Sequence, residues 1–170
     1  MKSFTKINAT EINGNFIELI GKKWMLVTAK NGEKVNTMTA SWGGVGELWN
    51  KNVTFTFIRP TRYTYEFVEN NDFFTLSFFD EEYKEKLAYL GKVSGRDEDK
   101  IGKTGLTVVC DGDIPYFDEA KYVLVCRKLY KDDIEMENFT DKDFGGKIYA
   151  EGNLHRMYVS EILYALKSWL

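Results

Sequence analysis

Along much of this chain, apolar and polar positions alternate with a period of two, as half-buried β-strands require. VTFTFI, residues 53–58, sets Val53, Phe55 and Phe57 on one face and Thr54, Thr56 and Ile58 on the other. KYVLVCRKLY (121–130) alternates in the same way, and FFTLSFF (73–79) and LTVV (106–109) read as further strands. WMLVTA (24–29) is a short continuous apolar run and predicts a buried strand. NTMTAS (36–41) places Thr37, Thr39 and Ser41 on one face and Met38 and Ala40 on the other. Pro60 ends VTFTFI, because proline has no N–H for a ladder.

Turn residues punctuate these runs. Asn13-Gly14 follows a polar N-terminal arm or edge strand, and Asn31-Gly32 predicts a hairpin from WMLVTA into NTMTAS. Gly43, Gly44 and Gly46 predict the turn between NTMTAS and VTFTFI, and Asp111-Gly112-Asp113 another. Residues 66–71 read as a short helix or turn. One helix face is clear: Tyr83, Leu87 and Leu90 fall at i, i+4 and i+7, with Asp80 as N-cap and Gly91 as the stop. Residues 94–105 read as a charged loop, and 131–147 as a loop with one helical turn. The C-terminal stretch with Tyr158, Val159, Ile162 and Leu163 fits either period. Six or seven short strands with few helices predict a mainly β fold, an antiparallel barrel in one domain over residues 1–170.

A chain of 170 residues with 44% hydrophobic and 29% charged residues has a core that needs no disulfide staples. Aromatics, at 15%, fill such a core or line a pocket. A net charge of −3 argues against capture of nucleic acid or anionic lipid. The N-terminal residues are too polar for a signal peptide, and no apolar run nears the roughly 20 residues of a membrane span. Cys110 and Cys126 form no CxxC pair, so reduced thiols in a cytoplasmic protein are expected.

Several motifs fail on inspection. Gly102-Lys103-Thr104 imitates a phosphate-binding P-loop, but Asp97 stands where its first glycine belongs. Gly43-Gly44-Val45-Gly46 is not a dinucleotide fingerprint. His155 is the only histidine, which leaves neither a histidine-based zinc site nor a serine triad in a GxSxG context. What remains is the hydroxyl row of NTMTAS and the segment Arg59, Thr61, Arg62, Tyr63, Thr64. Two guanidiniums with three hydroxyls suit a flat ligand with an anionic tail. The plainer readings are an exposed polar strand face and a solvated strand end, with Lys100 a surface lysine.

NTMTASWGGVGELWNK, FIRPTRYTYEF, LGKVSGRDEDKI and HRMYVSEI, in this order, resemble the flavin reductase-like, flavoredoxin type of FMN-binding split-barrel protein. The resemblance implies an antiparallel, Greek-key-like split barrel of six strands with flanking helices. It implies a homodimer with FMN near the subunit interface. It places Thr37, Met38, Thr39, Ala40, Ser41 and Trp42 along the isoalloxazine and ribityl chain. Arg62, Tyr63 and Thr64, with Arg59 and Thr61 close by, then face the phosphate, and Ser94 and Lys100 close the same end. His155 corresponds to a histidine on the nicotinamide side. Ser160 stands where the broader flavin reductases often carry glycine. The implied chemistry is hydride from NAD(P)H passing through FMN to a flavin, ferric iron or protein acceptor. The alternatives are an electron carrier that exchanges electrons with a redox protein, and a non-redox ligand-binding barrel. No metal, nucleic acid or membrane is implied.

Overall fold

Strand β2, Met25–Asn31, is the most deeply buried part of the chain: Met25 through Ala29 are sealed on both faces. A computed structural model describes residues 3–169. Around β2 the sheet runs in the order β3 (Lys34–Ala40), β2, β6 (Phe73–Phe78), β9 (Tyr122–Asp133), β10 (Arg156–Ser168), β5 (Lys51–Ile58), β4 (Gly43–Leu48), antiparallel throughout. Strand β1, Phe4–Ile7, also pairs with β10.

The thirteen-residue β10 settles the ambiguous C-terminal stretch as strand. One edge follows β9. The other pairs with β5 over Arg156–Glu161 and then with β1 over Ala165–Ser168. Register shifts after Val159 and after Ile162 bend it between these partners, as bulges do. The sheet curls until its two ends meet: β3 and β4 end the strand order, yet only Ser41 and Trp42 separate them in sequence. At this seam Gly43 allows close approach. A Cβ there would lie 2.9 Å from the Phe55 carbonyl oxygen and 3.3 Å from Met25 Cε.

The glycine stretch is therefore strand β4 and not the predicted turn. The turn is Trp49-Asn50, both at positive φ (55° and 56°), the geometry a two-residue hairpin demands. Glycine-free positive φ left no signal in the sequence.

Two apolar cores lie on the two faces of the sheet. The barrel interior gathers Met25, Val27, Met38, Ile58, Phe74 and Tyr158. Helix α2 (Tyr63–Asn70) adds Phe67 and Val68 to that interior; α1 is the single turn Phe16–Glu18. Helix α3 (Lys84–Lys92) lies on the outer face, where Leu87 and Leu90 meet Leu26, Val123 and Val125. The hairpin of β7 (Val108–Asp111) and β8 (Ile114–Phe117) completes that outer core through Phe117. This double coverage explains the unbroken apolar run of β2.

Other boundaries also shift from the prediction. Helix α2 begins at Tyr63 and not at residue 66. Asp80 precedes a 3₁₀ turn, Glu81–Tyr83, without capping it through its side chain. Gly91 lies inside α3, because a glycine there lets the helix approach Thr39, 3.0 Å from where a Cβ would stand. The charged loop 94–105 contains α4, Lys100–Thr104, capped by the Asp99 carboxylate on the Gly102 amide. Strand β9 continues to Asp133, and α5 spans Lys142–Ile148. Among the described residues no helix is long and apolar enough to cross a membrane.

Candidate cofactor site

A trough runs along β3 and turns onto the N-terminus of α2. Its wider part, about 280 Å³, is lined by Met38–Trp42, Phe57, Arg59, Thr61, Arg62, Asn153 and His155. Its narrower part, about 190 Å³, continues past Thr61 and Arg62 to Tyr63, Thr64, Ser94 and Lys100. Twelve of the thirteen predicted cofactor residues, with His155, thus border one or other of two adjoining hollows that share Thr61 and Arg62.

The wider part depends on an edge. Strand β3 ends the strand order, so its outer N–H and C=O groups have no β partner and are free for a flat polar ligand. The hydroxyls of β3 serve another purpose. Thr37 is fully buried, 2.8 Å from the Thr28 hydroxyl, and donates to the Val27 carbonyl at 3.0 Å. Thr39 donates to the Leu87 carbonyl of α3 at 2.5 Å. The expected row of ligand-facing hydroxyls is corrected accordingly: Thr37 does not line the trough, Thr39 spends its proton on α3, and only Ser41 is exposed. Alternation alone could not say which face met the outer core.

The narrower part is cationic. The chain has five arginines, and Arg96, Arg127 and Arg156 each pair with a carboxylate. Arg59 and Arg62 line the trough, whose lining holds no Asp or Glu, and among the described residues neither makes an ion pair. Burial, and then Arg59, lowers the pKa of Arg62. Lys100 is not the surface lysine its sequence context suggests but 2% exposed. Its ammonium donates to the carbonyls of Leu90 (2.8 Å) and Val93 (2.9 Å), capping the end of α3. Burial, with Arg62 adding repulsion, brings its pKa down to about 8. Helix α2 begins here, and no side chain caps its first amides. Mutually repelling cations beside free helix amides form a site that an anion relieves.

Helix α2 is held in place from its far end. The Glu69 carboxylate accepts from Tyr158 Oη (2.7 Å), Arg156 (3.2 Å) and Lys131 (2.5 Å). Burial alone would raise its pKa, but these bonds outweigh it and bring the group to about 2.

His155 sits at the other end, with its ring 5.1 Å from Trp42 and its Nδ1 2.8 Å from Tyr149 Oη. Burial and then Arg59 depress its pKa to about 4, so the imidazole is neutral near pH 7. Sequence reasoning missed Asn36, Phe57, Tyr149 and Asn153. Phe57 precedes Arg59, which follows the end of β5, by two residues, and both border the trough, a spacing the sequence contained. Asn153, at φ 59°, donates to the Thr61 hydroxyl at 2.8 Å, a contact 92 residues apart that no local pattern reveals. Among the described residues no cluster of three or more His, Cys, Asp or Glu side chains forms a metal site.

Comparison with known structures finds this architecture elsewhere. Flavoredoxin from Methanosarcina acetivorans superposes with a TM-score of 0.65 at 23% identity, over 84% of this chain and 67% of that one. Flavoredoxin of Desulfovibrio vulgaris (Miyazaki F) gives 0.65 at 23%, over 86% and 69%. The FMN-binding domain of a flavin reductases-like enzyme from Shewanella baltica OS155 gives 0.70 at 16%, over 98% and 78%. These likenesses establish the split-barrel fold. A comparison with curated proteins finds no match. The family model of the flavin reductase like domain matches residues 18–163, and the chain belongs to that family.

Proposed function

We propose that the protein binds FMN in this trough and acts as an oxidoreductase, taking hydride from NAD(P)H and passing electrons to a flavin, ferric iron or protein acceptor. The observation that carries the reading is the pair Arg59 and Arg62, half-buried and without an ion pair among the described residues, beside first-turn amides of α2 that no side chain caps. A phosphate there supplies the missing counter-charge. The residues fit FMN: a cationic end for the phosphate, and a wider part bordered by a free strand edge and by Phe57 and Trp42 for the ring. FMN, when bound, supplies two-electron and one-electron redox chemistry.

The chain's own contributions are binding and orientation. Arg59, Arg62 and Lys100 hold the phosphate with Ser94 and the amides of Tyr63 and Thr64. The free edge of β3 from Met38 to Ala40, with Ser41 just beyond it, orients the ring through backbone groups. Neutral His155, held by Tyr149, positions a nicotinamide and transfers no proton. Exposed Trp42, Trp49 and Trp169, at 48%, 53% and 56% exposure, favour a homodimer that covers part of this surface. Free Cys110 and Cys126 suit the reducing cytoplasm.

One observation favours a second reading, an electron carrier that docks a redox protein. The Trp42 and His155 rings touch, so a nicotinamide on that side needs them to part. The test is anaerobic mixing of FMN-loaded protein with NADH or NADPH while following flavin absorbance. Fast bleaching supports the reductase. No bleaching by either nucleotide, with reduction by a protein donor, replaces it with the carrier.

A further inference from the structure

Lys100 is buried, and its Nζ has two protein acceptors, the carbonyls of Leu90 at 2.8 Å and Val93 at 2.9 Å. A neutral amine has two N–H groups, enough for both carbonyls. An ammonium brings a third N–H, and among the described residues the chain bonds no further acceptor to it. The amine lies beside the narrower part of the trough, which it borders together with Arg62 and Ser94.

The charges around it do not hold the extra proton. Arg62 and Tyr63 at the start of α2, and Lys92 at the end of α3, border the same space. On β3 and on the segment leading into α4, Lys34, Arg96, Asp97, Glu98 and Asp99 line a hollow that Lys100 also borders. Of these, Glu98 is paired with Lys103 and accepts from Tyr89 Oη, and Asp99 accepts from the Gly102 amide. Arg96 is paired with Glu66 of α2. Lys100 makes no ion pair among the described residues. Burial and then Arg62 bring its pKa down to about 8.

We propose that a phosphate enters this end of the trough together with a proton: Lys100 takes the proton from solvent as the anion binds, and its third N–H donates to a phosphate oxygen. The proposal rests on the flavin reading of the trough. A phosphate monoester has a second pKa of about 6, so at pH 8 and above FMN arrives as a dianion and the proton goes to the protein. A dianion beside Nζ favours the ammonium and raises its pKa in the complex. Binding is therefore undiminished below about pH 8 and weakens as the pH rises from there towards the raised value.

The test is calorimetric titration of flavin-free protein with FMN, in pairs of buffers that differ in ionisation enthalpy. The difference in heat counts the protons taken up. At pH 8.5 the native chain should take up more than about half a proton per FMN, and at pH 7 close to none. Its affinity should fall on the order of tenfold between pH 7.5 and 9.5. Lys100→Arg keeps its charge throughout this range and should bind FMN without proton uptake. Lys100→Met, which has no proton to gain, should also show none. If only one variant folds, that one is read; if neither does, the native counts at the two pH values decide. No uptake by the native chain at pH 8.5, or uptake that persists in the variant read, would overturn the proposal and leave the flavin reading standing. No binding of FMN at any pH would overturn both.

Discussion

Tyr149 Oη lies 2.8 Å from Nδ1 of His155, a contact that joins the segment after α5 to the start of β10 at the mouth of the trough. A phenol there satisfies the ring nitrogen without charging it, while burial and Arg59 hold the imidazole pKa near 4. The folded value lies below the ordinary 6.5. Stability tied to this group is therefore complete above pH 6.5 and falls as pH drops from 6.5 towards 4. His155 is the only histidine, so its proton resonances titrate alone in an NMR series. The expected midpoint lies below pH 5, and Arg59→Ala should raise it. A midpoint near 6.5 would mean an exposed, unrestrained ring.

Arg62→Ala should weaken FMN binding while leaving the fold intact. Loss of a charge-assisted bond to phosphate costs about 1.5–3 kcal/mol, or roughly ten- to a hundredfold in affinity. Because the unbound protein already spends energy on confining like charges, the variant should melt no lower than the native chain. Unchanged affinity would move the phosphate away from α2.

Thr37→Val separates packing from binding. The change removes the acceptor of the Thr28 hydroxyl inside the sheet, a cost of about 1–3 kcal/mol for a buried group left unsatisfied. Flavin affinity should stay within about threefold of the native value. A stable protein with impaired binding would restore Thr37 as a ligand contact.

Glu69→Gln should lower stability and loosen α2, because Tyr158, Arg156 and Lys131 then lose a charged acceptor. The folded carboxyl titrates near 2, below its ordinary 4.5. Its stabilisation is present above pH 4.5 and disappears as pH falls from 4.5 towards 2, so native and variant stabilities should converge in acid. Parallel stability curves down to pH 2 would contradict this.

These sites differ in how far the sequence disclosed them. Strand β5 was legible as a strand from its period, but its faces were not: Thr54, Thr56 and Ile58 are buried, while Phe55 and Phe57 stay half-exposed and Phe57 borders the trough. RPTRYT was legible as chemistry, since two arginines and three hydroxyls are adjacent in the chain. What the sequence hid is non-local. Lys100 is buried because α3 ends above it, and Asn153 reaches Thr61 across the fold. The glycines of β4 read as a turn because their purpose, backbone approach at the barrel seam, depends on Phe55 and Met25. Met38 and Thr37 were correctly placed on opposite faces, but only the outer core of α3 decides which face is which.

The most direct test of the central claim is calorimetric titration of flavin-free protein with FMN and, separately, with riboflavin, which lacks the phosphate. FMN should bind at one site per chain, and riboflavin at least about tenfold more weakly, the smallest loss expected when a charge-assisted phosphate contact is missing. Equal affinity for the two, or no binding of FMN, would contradict a phosphate seated on Arg59 and Arg62.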